Sequence, residues 1–509
     1  MADTKREIER KYEGPVAGDA AVLPDLTRVP GVAEVVDKGV ADLDAVYYDT
    51  VDERLAAAKL TLRRRTGGDD AGWHLKLPVS DGVRDEIHAP LSGTVPRTLS
   101  GLVRSRIRDA ELVPVVRLLS ARDVRHLVDA DGALLAEVSI DTVRAERLSG
   151  GKGTAEWTEI EVELADDGDP EFLDKVDKKL RKAGVRRSSS PSKLARALSE
   201  TAPGKPRKRK DVPSAPQPVP GSAGDYVLSY VRAQYDAIIE LDPAVRRDVF
   251  DSVHSMRVAT RRMRSVFRTY RKVLDPAVTR PLGDELKWLA GELGVDRDQE
   301  VLTDHLTAAL AELPRTLIAG PVRGRLRTWT QARRGGSRRR LISVLDGKRY
   351  LALLGSLDAL LAEPPLLPGA AGKPEKVIGK AVREDFGALS ALVEQALQAP
   401  PGTDRDTALH EARKKAKRAR YAGESATPAL GERAETLAKA MKSLQNLLGG
   451  HQDSVMIREA LHDLAEQAHA AGENGFTYGL LYGREEQRAA AVEAALPEAW
   501  EGIRARVAV

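Results

Sequence analysis

The 509-residue chain has no cysteine, which excludes disulfides, thiolate metal sites and a cysteine nucleophile. Aromatic residues make up only 4%, too few to provide well for base stacking. No apolar run approaches the roughly 18 residues of a membrane span, and the opening stretch MADTKREIERK carries no apolar signal segment. A large net charge is missing too. The 80 basic and 76 acidic residues leave +4, so a polyanion site must come from local clustering. The nine histidines show no metal-ligand spacing, so the sequence offers no zinc motif. What remains is a charge-rich globular composition, long enough for two or three domains, with the cytoplasm as its expected location.

The densest cluster is HSMRVATRRMRSVFR. Read as a helix, it places His254, Arg257, Arg261, Arg264 and Arg268 on one face. Beside that row Val253, Met256, Thr260, Met263, Phe267 and Tyr270 form a largely apolar stripe that predicts a core-facing side. The pattern recurs in HEARKKAKRARY: His410, Arg413, Lys417, Arg418 and Arg420 match His254, Arg257, Arg261, Arg262 and Arg264. Leu289, Leu293, Gly294 and Asp298 likewise correspond to Leu444, Leu448, Gly449 and Asp453 at nearly the same offset. Two matches in order indicate a duplicated helical unit. Its two basic faces are expected to oppose each other across a groove that a polyanion fills. The aspartates, following glycines, are expected to cap or pack near helix ends. EPPLLPGAAGKPEK separates the repeats, at about 223–362 and 375–509. Arg333, Arg334, Arg338, Arg339, Arg340 and Arg349 add a further basic cluster.

Residues 1–200 read differently. Glu7, Glu9 and Lys11 share one face of a strand, and so do Glu159, Glu161 and Glu163 in WTEIEVEL, with Ile160, Val162 and Leu164 opposite. Arg63 and Arg65, Lys76, Arg84 and Glu86, Arg117 and Arg122, and Glu137 and Asp141 lie on further strand-like runs. Ionic faces on strand after strand suggest a barrel with a charged interior. Carboxylates suit Mg²⁺ or Mn²⁺, and arginine and lysine clamp phosphate oxygens. Residues 201–222, rich in Pro, Lys and Arg, read as a semi-extended linker.

The paired His-x-x-Arg helices and their Leu-Gly segments resemble a CHAD domain, over roughly 222–509. The Glu-x-Glu-x-Lys start, LTLRRR, EIEVEL and PSKLARAL resemble the CYTH superfamily of triphosphate tunnel metalloenzymes. Together the resemblances imply an α+β multidomain chain: an eight-stranded antiparallel β tunnel at 1–200, a linker at 201–222, and at 223–509 an all-α domain of two duplicated four-helix bundles. They imply metal ligands Glu7, Glu9, Asp141, Glu161 and Glu163, with Glu159 and Glu161 as the late pair in the neighbouring register. Triphosphate contacts would be Lys11, Arg63, Arg65, Lys76, Arg122 and Lys193. Inorganic polyphosphate would be bound by His254, Arg257, Arg261, Arg262, Arg264, His410, Arg413, Lys417, Arg418 and Arg420. The implied function is polyphosphate binding joined to metal-dependent triphosphate hydrolysis. The alternatives are a non-catalytic polyphosphate-binding protein and an adenylate cyclase activity in the tunnel. Polyphosphate and triphosphate-containing small molecules are the expected partners. Nucleic acid is disfavoured, because the basic faces carry no interleaved aromatics. An association with polyphosphate granules stays open.

Overall fold

In the N-terminal region the period-2 alternation closes into a barrel. The strands are β1 (Asp3–Glu13), β2 (Glu34–Asp49), β3 (Thr61–Thr66), β4 (Gly72–Ser80), β5 (Val83–Ala89), β6 (Val113–Val128), β7 (Leu134–Arg147) and β8 (Thr154–Leu164). They pair antiparallel in the order β8-β7-β6-β2-β3-β4-β5-β1, and β8 pairs again with β1. Five helices accompany them: α1 (Arg54–Ala57), α2 (Arg97–Leu102), α3 (Arg104–Ile107), α4 (Glu171–Lys182) and α5 (Lys193–Glu200). The structure, a computed structural model, describes residues 3–13, 16–17, 20–21, 23–202, 217–400 and 402–507. Most of the linker read at 201–222, and the side chains of Asp298, Arg333 and Arg334, lie outside the described residues.

The barrel is apolar outside and ionic inside. Leu62, Trp73, Leu75 and Ile87 pack outward against Leu99, Leu102, Val103 and Ile107 of α2 and α3 and the residue between them. Ile160, Val162 and Leu164 pack against Phe172, Leu173, Val176 and Leu180 of α4. Leu194, Ala197 and Leu198 of α5 cover Val143, Ala145 and Trp157. Burying the outer faces in this way leaves the alternate residues of each strand pointing into the lumen.

The chain divides into two compact units, Met1–Val212 and Pro213–Val509. The second is helical: α6 (Ala223–Arg246), α7 (Ser252–Thr269), α8 (Pro276–Ala311), α9 (Val322–Leu345), α10 (Lys348–Ala362), α11 (Pro374–Gln398), α12 (Thr403–Leu430), α13 (Glu432–Ala470) and α14 (Phe476–Arg506). The stripe of Met256, Met263, Phe267 and Tyr270 is buried in a core shared with Leu286 and Leu289 of α8, Leu409 and Ala416 of α12, and Leu444 and Leu448 of α13. A second core joins Leu306, Leu310 and Trp329 to Ile457, Leu461 and Leu481. Each core therefore draws on both repeats.

Two expectations change. Asp298 and Asp453 do not sit at helix ends, because α8 and α13 run straight through Gly294 and Gly449. Gly294 makes room for a packed side chain, while Gly449 has ordinary clearance. A Cβ on Gly294 would come within 2.9 Å of the Arg257 guanidinium, and one on Gly449 within 3.5 Å of that of Arg413. Nor do the basic helices stand apart along their whole length. The second half of α7 packs on α12, where the Tyr270 hydroxyl and Ser425 Oγ are 2.9 Å apart.

Candidate functional site

Strand register brings the lumen side chains together. Glu9 and Lys11 on β1 lie opposite Glu163 and Glu161 on β8, and Glu7 lies opposite Arg84 on β5. Glu159 lies opposite Asp141, which lies opposite Arg122. Arg63 faces His74, and Lys76 faces Glu86. α5, begun by Ser192 accepting from the Ala195 N–H, delivers Lys193 from its first position. The result is a cavity of about 830 Å³ lined by Glu7, Glu9, Glu161 and Glu163 and by Lys11, Arg63, Arg65, Lys76, Arg122 and Lys193, among others.

These charges neutralise one another. Lys193 Nζ lies 2.9 Å from Asp141, 2.9 Å from Glu159 and 2.7 Å from Glu161. Lys11 bonds Glu161 and lies 3.4 Å from Glu9. Lys76 donates to Glu7 at 2.5 Å, and Arg84 lies 3.5 Å from Glu9. Arg122 grips both oxygens of Asp141 at 2.8 Å and reaches Glu161 at 3.1 Å. Burial opposes every one of these charges, and the partners decide the outcome. Against burial, Lys11, Lys76 and Arg84 hold Glu9 below its ordinary value. Lys11, Lys193 and Arg122 hold Glu161 well below its own. Lys193 is raised against burial by Asp141, Glu159 and Glu161. Glu7 goes the other way: burial outweighs Lys76, and the neighbouring Glu86 adds to the rise.

Asp141 and Arg117 stand elsewhere than expected, while Glu163 lines the cavity and shares a charge at its edge. Asp141 is fully buried behind the lumen wall, with its oxygens taken by Arg122 and Lys193. Glu163 pairs with the half-exposed Lys5 at 2.9 Å. Arg117 points outward to Asp44 at 2.6 Å. Sequence reasoning also passed over His74. It is buried, its Nδ1 lies 2.9 Å from Glu86, and burial with Arg63 and Arg65 nearby lowers it to about 4. At that end of the lumen Arg63 and Arg65 each keep a buried Nε with no hydrogen-bond partner among the described residues. Burial, Arg63 and Arg122 depress Arg65 to about 9.

In the helical unit, cations gather around Lys417. Burial depresses Lys417 to about 7, assisted by Arg261, Arg413 and Arg257, with Asp453 opposing weakly. Burial lowers Arg264 too, with Arg268 and Arg261 beside it. His254 is exposed, and His410 Nδ1 bonds Gln452. Arg262, Arg418 and Arg420, expected among the polyphosphate contacts, are each tied to a carboxylate of α11 or α12. Arg262 donates to Glu424 at 2.8 Å, Arg418 meets Asp385 at 2.6 Å, and Arg420 donates to Glu424 at 2.7 Å. Arg340 and Arg349 of the further cluster pair with Glu292 and Glu285.

Residues 5–198 match the CYTH domain and residues 229–462 the CHAD domain. The uncharacterized protein MT2285 of Mycobacterium tuberculosis is 38% identical over 494 residues, covering 94% of this chain and 92% of its own length. Among solved structures, PptA from Streptomyces chartreusis aligns with a TM-score of 0.46 at 21% identity, over 55% of this chain and 99% of its own. The CHAD domain from the plant Ricinus communis aligns at 0.44 and 22%, over 58% and 97%. CYTH enzymes are metal-dependent and act as triphosphatases or cyclases. No helix among the described residues is long and apolar enough to cross a membrane. The chain belongs to the family of that mycobacterial protein, and it joins a CYTH tunnel domain to a polyphosphate-related CHAD domain.

Proposed function

We propose that the tunnel hydrolyses the phosphoanhydride of short triphosphates, inorganic tripolyphosphate foremost, with Mg²⁺ or Mn²⁺, while the helical unit binds inorganic polyphosphate. The observation that carries this reading is the lumen itself: carboxylates and buried cations interleaved around one cavity of about 830 Å³. Glu7, Glu9, Glu161 and Glu163 offer hard oxygen donors, and ammonium groups already sit among lumen carboxylates where a cation balances them. A bound divalent ion there supplies charge neutralisation and a more acidic water. Lys11, Lys76 and Lys193 then exchange carboxylate for phosphate oxygens, each with three donors to redistribute. Arg63 and Arg65 offer unused donors to the same chain of phosphates. Asp141 holds Arg122 and Lys193 in place and enters a metal's ligand set only if both let go.

Hydrolysis is preferred to cyclisation because the lumen offers an adenine base little. Tyr47 is the only Phe, Tyr or Trp on the described lining, and it is buried with its hydroxyl toward Arg63 at 3.5 Å. In the helical unit, His254, Arg257, Arg261, Arg264, His410, Arg413 and Lys417 would grip polyphosphate, with the cytoplasm and its polyphosphate granules as the place of action. The test is phosphate release from tripolyphosphate, ATP and long-chain polyphosphate with Mg²⁺, Mn²⁺ or EDTA. Metal-dependent release, fastest from tripolyphosphate, is expected. No release from any substrate, with polyphosphate still bound, would make the tunnel a grip and not an enzyme.

A further inference from the structure

Away from both charged regions, three helices bring one histidine and two carboxylates to a single point. Asp406 lies in the first turn of α12, His451 in the middle of α13 and Glu493 within α14. The three ligand atoms lie within 4.8 Å of one another. His451 Nε2 is 3.3 Å from Asp406 Oδ1 and 3.4 Å from Glu493 Oε1. A charge-assisted hydrogen bond from an imidazolium would be about 2.7–2.9 Å, and one N–H shared between two acceptors makes only a weaker, bifurcated bond to each. The spacing fits a different arrangement. A tetrahedral ion with bonds of about 2.0–2.1 Å sets its ligand atoms about 3.4 Å apart.

The surroundings suit an ion as well. The His451 side chain is 5% exposed, while that of Asp406 is 46% exposed and leaves a way in from solvent. Arg405 donates to the Ala399 carbonyl at 2.9 Å and to Glu493 Oε2 at 3.1 Å. It thereby orients the Glu493 carboxylate and leaves Oε1 to face the histidine, as outer partners of metal ligands do. By contrast His462, Asp463 and Glu466 fall within the same mutual distance but on the exposed surface of one helix, where nothing excludes water from them.

We propose that Asp406, His451 and Glu493 form a site for a divalent transition ion, Zn²⁺ foremost, with the remaining position open to water. One nitrogen and two oxygen donors favour such an ion over Mg²⁺, which prefers oxygens and keeps its own waters. The ion pins α12, α13 and α14 together. His451 also directly precedes Gln452 and Asp453, which contact His410 and Arg413. Binding therefore stiffens the stretch that positions His410 and Arg413 of the basic cluster.

The test is equilibrium dialysis of the EDTA-stripped full chain against Zn²⁺, with bound metal counted by elemental analysis, for wild type, His451→Ala and Asp406→Asn. Each variant should bind one equivalent less than wild type at Zn²⁺ concentrations that fill the wild-type site. Zn²⁺ should slow hydrogen exchange in α13 of wild type alone. If His451→Ala fails to fold, Asp406→Asn, altered at a half-exposed carboxylate, carries the test. Equal bound metal in wild type and a folded variant, with the same exchange rates in α13, would overturn the proposal.

Discussion

Lys193 and Lys417 are both largely buried lysines, yet they are pushed in opposite directions. Lys193 meets three carboxylates at 2.7–2.9 Å and is raised above its ordinary value despite burial. Lys417 is crowded by Arg257, Arg261 and Arg413 and falls to about 7. Carboxylates thus outweigh burial at Lys193, whereas neighbouring cations add to it at Lys417. A compensated site can pass its cations to an entering phosphate and take them back when product leaves, which suits turnover. A buried lysine set among cations gains most when a polyanion stays, which suits retention. At one end of the tunnel Arg65, although paired with Asp70, is lowered by burial and by the neighbouring Arg63 and Arg122.

The sharpest way to break the comparison is to remove compensation from the tunnel. Asp141→Ala takes away the buried carboxylate that Arg122 and Lys193 share, leaving Arg122 with Glu161 and Lys193 with Glu159 and Glu161. Breaking a buried pair in this way costs about 3–5 kcal/mol. Hydrogen exchange in β6 and β7 should rise strongly, while the helical unit keeps its protection. If the barrel strands exchange as in wild type, the charges are not bound to one another as described.

Next in size is Glu9→Ala. Glu9 lies between Lys11 and Arg84, and losing one preorganised charge in a buried site costs about 10²–10³-fold in rate. Tripolyphosphate hydrolysis should fall by that much and long-chain polyphosphate binding should not change. Unaltered turnover would remove the lumen from the reaction. The mirror experiment is Arg257→Glu with Arg413→Glu. Two lost charge-assisted contacts predict about a hundredfold weaker polyphosphate binding with tripolyphosphate turnover intact. Equal loss of both activities would show that the two regions are not separate sites.

How much of this was legible in advance follows from the range over which each feature acts. The barrel could be read because each strand carries its own period-2 record of which face is ionic, as in Glu159, Glu161 and Glu163. The basic helices could be read because a row spaced by three and four is local, and because it occurs twice. What escaped depends on partners distant in sequence. Nothing near Arg262 or Arg418 announces Glu424 or Asp385, so the carboxylates these expected polyphosphate contacts hold could not be read. Gly294 and Gly449 look like the ends of helices because glycine weakens them. The Arg257 guanidinium packed on Gly294 comes from another helix and leaves no local mark. Asp406, His451 and Glu493 leave no motif because each comes from a different helix. The search for metal-ligand spacing along the sequence therefore had nothing to find.

The smallest effect concerns Lys417 and probes the comparison most finely. Its folded-state value is about 7 against an ordinary 10.5. Between those two values the unfolded chain binds the extra proton, so the stability of the helical unit without a polyanion must rise with pH over that window. Below about 7 both states are protonated and the penalty is fully present. Polyphosphate favours the protonated lysine, so its affinity should run the other way, strongest below pH 7 and weaker as pH rises through it. Lys417→Met should flatten both dependences, stabilise the polyanion-free helical unit at pH 6, and weaken polyphosphate binding there by about tenfold, the worth of one charge-assisted contact. Calorimetry and binding at pH 6 and pH 9 measure both at once. If the variant keeps the wild-type slopes, the cations around Lys417 do not set its protonation as described. If stability rises and affinity falls together, the cluster gives up stability in the absence of ligand for its hold on the anion.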